Sequence, residues 1–228
     1  MVDYGGALKK PFQDITKLII GIVLSIIPIL SFFATGYLVE TAKKTLAKDN
    51  NLPEWTNWGG LFVSGLSVFV ISIIYFIPAI IVAFIGLAPV IGAVMGTITA
   101  AMASGDVAAI SSTAIMNAAL PAIMSSMASA MVFFLIAAIL AFVAGFLLPM
   151  AQVFYAKEGF GGAFKVGSIL KACLTGNYIV SWIIIIVIGM ILSGILAILP
   201  IVGSAIATFY IGIASYTIFA QVLLAKGK

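Results

Sequence analysis

Histidine and arginine are missing from this 228-residue chain, cysteine occurs once, and charged residues make up only 8% of it. Each scarcity excludes something. Without histidine, zinc hydrolysis and histidine-based triads lose their usual parts, and no paired acids lie within the apolar runs to serve as general acid and base. Serine-lysine or aspartate-dependent intramembrane chemistry keeps its residue types, but no spacing singles it out. The expectation is a non-enzymatic protein with no catalytic residue, no metal and no cofactor. The lone Cys173 cannot close an internal disulfide and reads as a small packing residue. With no arginine, the net charge of +4 rests on lysine. Those lysines sit at the ends of apolar segments and form no continuous stripe, which argues against a nucleic-acid partner and suits anchoring beside anionic lipid headgroups.

The shortage of charge is the strongest constraint. An ordinary soluble domain is about 25% charged. Here 64% of residues are hydrophobic, and a globule this small would leave much of that surface in water at roughly 25 cal/mol per Å². A bilayer removes the cost and demands that every backbone amide bond internally, in helices or a closed barrel. Ser129 to Tyr155 and Tyr178 to Leu199 carry no charge and do not alternate with period two, so the spans are helical. The fold predicted is an all-α polytopic transmembrane helical bundle, a single membrane domain over 1–228 with about four to six crossings.

Lysine placement orients it. Lys9, Lys10 and Lys17 precede the first apolar run, while Lys43, Lys44 and Lys48 follow it. Both clusters are cytoplasmic only if the run turns back. The stretch from Lys17 to Ile27, about 17 Å at 1.5 Å per residue, is too short to cross roughly 30 Å of hydrocarbon. A re-entrant hairpin broken at Pro28 is preferred to a single kinked crossing, which would put the amino terminus outside against the positive-inside rule. Leu66 to Leu87 then crosses outward, Ser129 to Tyr155 returns, and Tyr178 to Leu199 and Ile201 to Leu224 form a last pair. This leaves both termini cytoplasmic in a multi-pass protein of the cell membrane. The Ala-, Ser-, Thr- and Met-rich stretch 88–128, with Asp106 as its one charge, makes either two thin extra crossings or a helical hairpin on the outer face. The first run is long for a signal peptide and has no clear cleavage site, so it reads as retained.

An aromatic followed by two glycines recurs as Tyr4-Gly5-Gly6, Trp58-Gly59-Gly60 and Phe160-Gly161-Gly162. On a helix Trp58, Leu61, Phe62 and Gly65 share a face, as do Phe160, Ala163, Phe164 and Gly167 with Lys165 and Lys171 off it, the pattern of a short amphipathic helix in the membrane interface. A proline follows each copy, in Pro28-Ile29-Leu30-Ser31, Pro89-Val90-Ile91-Gly92 and Pro200-Ile201-Val202-Gly203, and suits a turn between helices or a kink in one. Repeat units over 4–48, 58–156 and 160–228 follow, the second holding 88–128 as an insertion. The stretch 48–58 reads as a loop, with Pro53 at a first helical position and Glu54 at the favourable dipole end.

Candidate functional residues fall into three groups. Trp55, Trp58, Phe160, Lys165 and Lys171 are interface anchors, since amphipathic rings and lysines collect at headgroup level. Gly92 and Gly96, then Ala137, Ala141 and Gly145, then Gly189 and Ser193, then Gly203 and Ala207 form small-residue faces that let helix backbones approach within one subunit or between subunits. Asp106, Asn117, Gln152, Thr175 and Asn177 are the candidate polar lining of a cavity, against a plainer reading as surface-turn, backbone-bonding or interfacial groups. Met116, Leu120, Met124, Met127 and Met131 recur at helical spacing. Thioethers bind copper(I), but flexible contact with protein or lipid accounts for them more simply.

Ala7-Leu8-Lys9-Lys10-Pro11-Phe12, Ile27-Pro28-Ile29-Leu30 through Gly36-Tyr37-Leu38, Leu52-Pro53-Glu54-Trp55-Thr56-Asn57-Trp58-Gly59 and, more weakly, Tyr155-Ala156-Lys157-Glu158-Gly159-Phe160-Gly161 resemble an archaeal integral membrane protein family catalogued as a domain of unknown function, number four thousand and thirteen. The resemblance covers nearly the whole chain and departs from it at 88–128. It implies an archaeal cell membrane and carries over no activity and no functional residue. Two functions stay open on sequence. One is a structural or accessory component that assembles as a homo-oligomer or with other membrane subunits, among membrane lipids. The other is a channel or carrier for lipid or a small neutral solute.

Overall fold

The computed structural model describes residues 2–105 and 112–226, among which there is no strand. Short acidic caps start the chain. Asp3 accepts the Gly6 N–H at 2.8 Å and opens α1 (Tyr4–Lys9). A 3-10 turn (Lys10–Gln13) then leads to Asp14, whose carboxylate accepts the Lys17 N–H at the start of α2 (Ile15–Ile26). Extended backbone at Ile27 ends α2 before Pro28, and α3 (Ser31–Leu46) follows. Two long helices come next, α4 (Trp58–Ser104) and α5 (Ser112–Glu158). A second 3-10 turn (Phe160–Phe164) precedes α6 (Val166–Cys173), α7 (Gly176–Leu196) and α8 (Pro200–Lys226). Among the described residues four helical stretches are long and apolar enough to cross a membrane, in α4, α5, α7 and α8.

The chain divides into two compact units, Met1–Ile73 with Gly145–Lys228, and Ile74–Ala144. In the first, α8 is the central helix, with α1, α2, α3 and α7 packed on it. Its buried Phe209 lies 5.8 Å from the buried Tyr37 ring of α3. Where α3 meets the start of α4 the backbones touch. A Cβ added to Gly36 would land on the Leu61 carbonyl, and one on Gly65 on the Phe32 carbonyl. That close approach is how helices gain contact in lipid, which supplies no hydrophobic drive between them. Hydroxyls in this apolar setting bond back along their own helices, Thr41 to the Tyr37 carbonyl at 2.9 Å and Thr217 to that of Ile213 at 2.8 Å. In the second unit α4 and α5 lie side by side, with Gly86 against Phe133 and an apolar groove between Leu87 and Val90 on one helix and Ile123, Met127 and Met131 on the other.

Three sequence expectations resolve here. The Lys10 ammonium reaches Thr45 at 3.0 Å and Lys17 reaches Glu54 at 2.6 Å. Both ends of the first apolar run therefore meet, and α2 and α3 form a hairpin. Within 88–128 the described residues prolong α4 as far as Ser104 and open α5 at Ser112. The prolines behave differently: Pro28 lies in a turn and Pro200 opens α8, but Pro89 lies inside α4. A proline deprives a helix of one bond, yet α4 continues past Pro89.

Candidate functional site

Among the described residues one charged side chain is withdrawn from water. Lys10 is 3% exposed, and the docking of α1 puts it there. The Tyr210 hydroxyl donates to the Leu8 carbonyl at 2.8 Å, and the Asp3 N–H donates to Gln221 Oε1 at 2.7 Å, tying α1 to α8. Ala7, buried on that face, is three residues before Lys10, so Lys10 follows it inward. Its Nζ donates to Thr45 Oγ1 at 3.0 Å, and Thr45 in turn donates to the Thr41 carbonyl at 2.9 Å.

No carboxylate lies within ion-pairing distance of Lys10 among the described residues. Asp49 pairs with Lys44 at 3.2 Å, and its carboxyl is held below its ordinary value, first by the Asn51 backbone N–H and then by Lys44. Burial pulls the Lys10 ammonium from 10.5 down to about 8; Asp49 opposes that fall and Lys44 adds to it. Lys10 lines a polar cavity of about 110 Å³ together with the exposed Gln13 and Asn50 and with Thr217 and Gln221 of α8. Asp3 also lines it, with its carboxylate committed to the α1 cap. A second cavity of about 190 Å³ lies between α5, α7 and α8, with Gln152 and Ser215 among Trp182, Tyr216 and Phe219.

The anchor candidates take varied places. Trp55 stacks on Tyr37 at 4.2 Å and donates from Nε1 to the Lys17 carbonyl at 3.3 Å, tying the 47–57 loop to α2 and α3. Trp58 is 43% exposed and is the first residue of α4. Asn57 accepts the Gly60 N–H there at 3.1 Å and so caps this helix, which does not begin at Pro53, whose carbonyl accepts the Tyr37 hydroxyl at 3.1 Å. The Trp58 copy of the aromatic-glycine pattern is thus the opening of a long helix. The Phe160 copy is a 3-10 turn that stops before Lys165, so Gly167 falls in α6. The doubled glycine weakens both as free-standing helices. Exposed Phe160 lies 5.3 Å from Phe164, Lys165 pairs with Glu158 at 2.7 Å, and Lys171 is exposed.

The small-residue candidates separate by surroundings. Ala137, Gly203 and Ala207 are buried within the chain, and Ala141 is half-buried. A Cβ on Gly92, Gly96 or Gly145 would meet no atom within 4 Å among the described residues, and one on Gly189 would meet only Ile211 Cδ1, at 3.5 Å. Ser193 is exposed. Of the polar candidates, Gln152 lines the second cavity, Thr175 caps α7 by accepting the Tyr178 N–H at 3.3 Å, and Asn177 and Asn117 are exposed. Asp106 lies outside the described residues. Met116, Met124, Met127 and Met131 are exposed along α5. Lys10 was grouped by sequence with the interfacial lysines. No local signal in the sequence separates it from them.

These features define an α-helical, multi-pass membrane protein whose first unit holds a polar cavity lined by the buried Lys10. The chain belongs to the family described as protein of unknown function (DUF4013), which matches it over residues 19–201. No curated protein and no solved structure matches it.

Proposed function

We propose that this chain is a non-enzymatic component of an archaeal cell membrane, with both termini cytoplasmic, that assembles with copies of itself through the faces of its long spans. The observation that carries this reading is the contrast between two uses of glycine. Gly36 and Gly65 sit where backbones meet, whereas Gly92, Gly96 and Gly189 offer the same close approach with almost nothing against them. Burial points the same way: in its most apolar stretch α7 has 6% of residues buried, against 56% for α8. Lipid can cover such a face, but a small-residue face gains more from another helix.

Oxidative cross-linking in native membranes tests the assembly. With Cys173→Ala as background, Ser193→Cys is expected to give a disulfide-linked dimer, and Gly189→Ile in the same chain to abolish it. A protein that stays monomeric at every protein-to-lipid ratio and brings no other subunit through purification would refute the reading. A carrier role keeps one supporting observation, the Gln152 amide beside a cavity between spans; liposomes that show no flux of lipid or neutral solute would eliminate it.

A further inference from the structure

We propose that the cavity beside Lys10 binds a small oxyanion of the phosphate ester class, the chemistry that a phospholipid headgroup and free phosphate share. A buried cation needs a counter-charge or it loses its proton, and the described residues give Lys10 a neutral hydroxyl instead. An ammonium has three donors; Thr45 takes one, and Lys10 is among the residues that line the cavity. The cavity wall adds donors. Gln221 uses Oε1 to accept from the Asp3 backbone, which leaves its NH₂ free to donate, and the Gln13 and Asn50 amides make no hydrogen bond among the described residues. Charge-assisted bonds from an ammonium, supplemented by amide N–H groups, are how phosphate oxygens are held.

Location fits the lipid-borne form of this ligand as well as the free one. The cavity adjoins the 3-10 turn whose Phe12 is exposed, and the exposed Ile15 and Ile19 of α2 follow at once. Polar cavity and apolar surface therefore meet there, as headgroup and acyl chain do in a bilayer. The Asp3 carboxylate opposes an anion. This gives the proposal a sharp signature, because an oxyanion site must tighten when Asp3 loses its charge, whereas a site for a cation or a polyol must weaken.

The test uses the full chain in nanodiscs of neutral phospholipid, titrated with inorganic phosphate and followed by calorimetry, and in parallel discs containing phosphatidic acid. Saturable phosphate binding is expected, weakened about tenfold or more by Lys10→Met. Gln13→Ala and Asn50→Ala, both at exposed positions, are expected to weaken it a few-fold without touching the fold. Asp3→Asn, which keeps a capping side chain, is expected to strengthen it. If phosphatidic acid blocks the titration and co-purifies with wild type but not with Lys10→Met, the resident ligand is a lipid headgroup. If phosphate binds equally in both discs, it is the free ion. The proposal is overturned by absence of both phosphate binding and phosphatidic acid retention, by binding that is indifferent to Lys10, Gln13 and Asn50, or by weakening in Asp3→Asn.

Discussion

Raising the pH from 7 to 9 is expected to stabilise the folded protein through Lys10. The amine falls from 10.5 to about 8 on folding, and the sign follows from which state holds the proton. Below about pH 8 both states are protonated and the folded one bears the whole penalty of a buried ammonium. Between 8 and 10.5 only the unfolded chain binds the proton, so stability rises with pH, and above 10.5 the penalty is gone. The full gap corresponds to about 3 kcal/mol. The polar lining of the adjoining cavity, which includes the exposed Gln13 and Asn50, screens it, so the gain between pH 7 and 9 should be close to 1 kcal/mol. Cys173 acts in the opposite sense. Burial raises its thiol from 9.0 to about 11, so the unfolded chain ionises first and stability falls as pH rises through that window, by under about half a kcal/mol at pH 9. The experiment is therefore done with Cys173→Ala as background, in phosphate-free buffer, by equilibrium unfolding in mixed micelles followed by tryptophan fluorescence. The Lys10→Met variant, which keeps the apolar stem, should lose the rise. Equal slopes with and without Lys10, or a wild type that weakens from pH 7 to 8, would refute the reasoning.

The close backbone contacts make a second test. Gly36→Leu puts a side chain where the Leu61 carbonyl stands, and should cost about 2 kcal/mol or more and lower the unfolding midpoint in detergent. Gly59→Ala, with nothing within 4 Å among the described residues, should leave the midpoint within a degree or so; equal effects would mean that α3 and α4 do not meet there. Membrane sidedness makes a third. In the Cys173→Ala background, Lys9→Cys and Lys48→Cys should be labelled by an impermeant maleimide from the same face, as the Lys10–Thr45 bond requires, and labelling from opposite faces would replace the hairpin with a crossing.

What the sequence made legible follows the physics of lipid. Long uncharged runs announced their helices, because a bilayer leaves the backbone no alternative. Lysine clusters on both sides of an apolar run whose first arm, Lys17 to Ile27, is too short to cross announced the hairpin at Pro28. Proline was less informative: Pro28, Pro89 and Pro200 begin similar tetrapeptides, yet Pro28 lies in a turn, Pro89 is inside α4 and Pro200 opens α8. The aromatic-glycine repeat likewise gave a helix, a helix opening and a 3-10 turn. Lys10 was illegible for a different reason. Its burial requires α1 to dock on α8 through Asp3 with Gln221 and Leu8 with Tyr210, pairings more than 200 residues apart that no local pattern encodes.

Charge is confined to the first unit, apart from Asp106. All the lysines fall within 9–48 and 157–228. Yet α4 and α5 have 47 residues each, about 70 Å at 1.5 Å per residue, more than twice the roughly 30 Å of hydrocarbon. Tilt alone would have to reach about 65° to contain them, well beyond the range of 0 to 40° that spanning helices adopt. Part of each helix must therefore leave the hydrocarbon, although 88–104 carries no charge and exposes Ile91, Met95 and Met102. Water is a poor medium for that surface. Two arrangements remain: the distal turns bend at Pro78 or Pro89 to lie along the interface, or a neighbouring subunit covers them. Gly92 and Gly96, open to close approach within those turns, favour the subunit, so the assembly proposed from the contrast in glycine use also answers why so long an uncharged helix is tolerated.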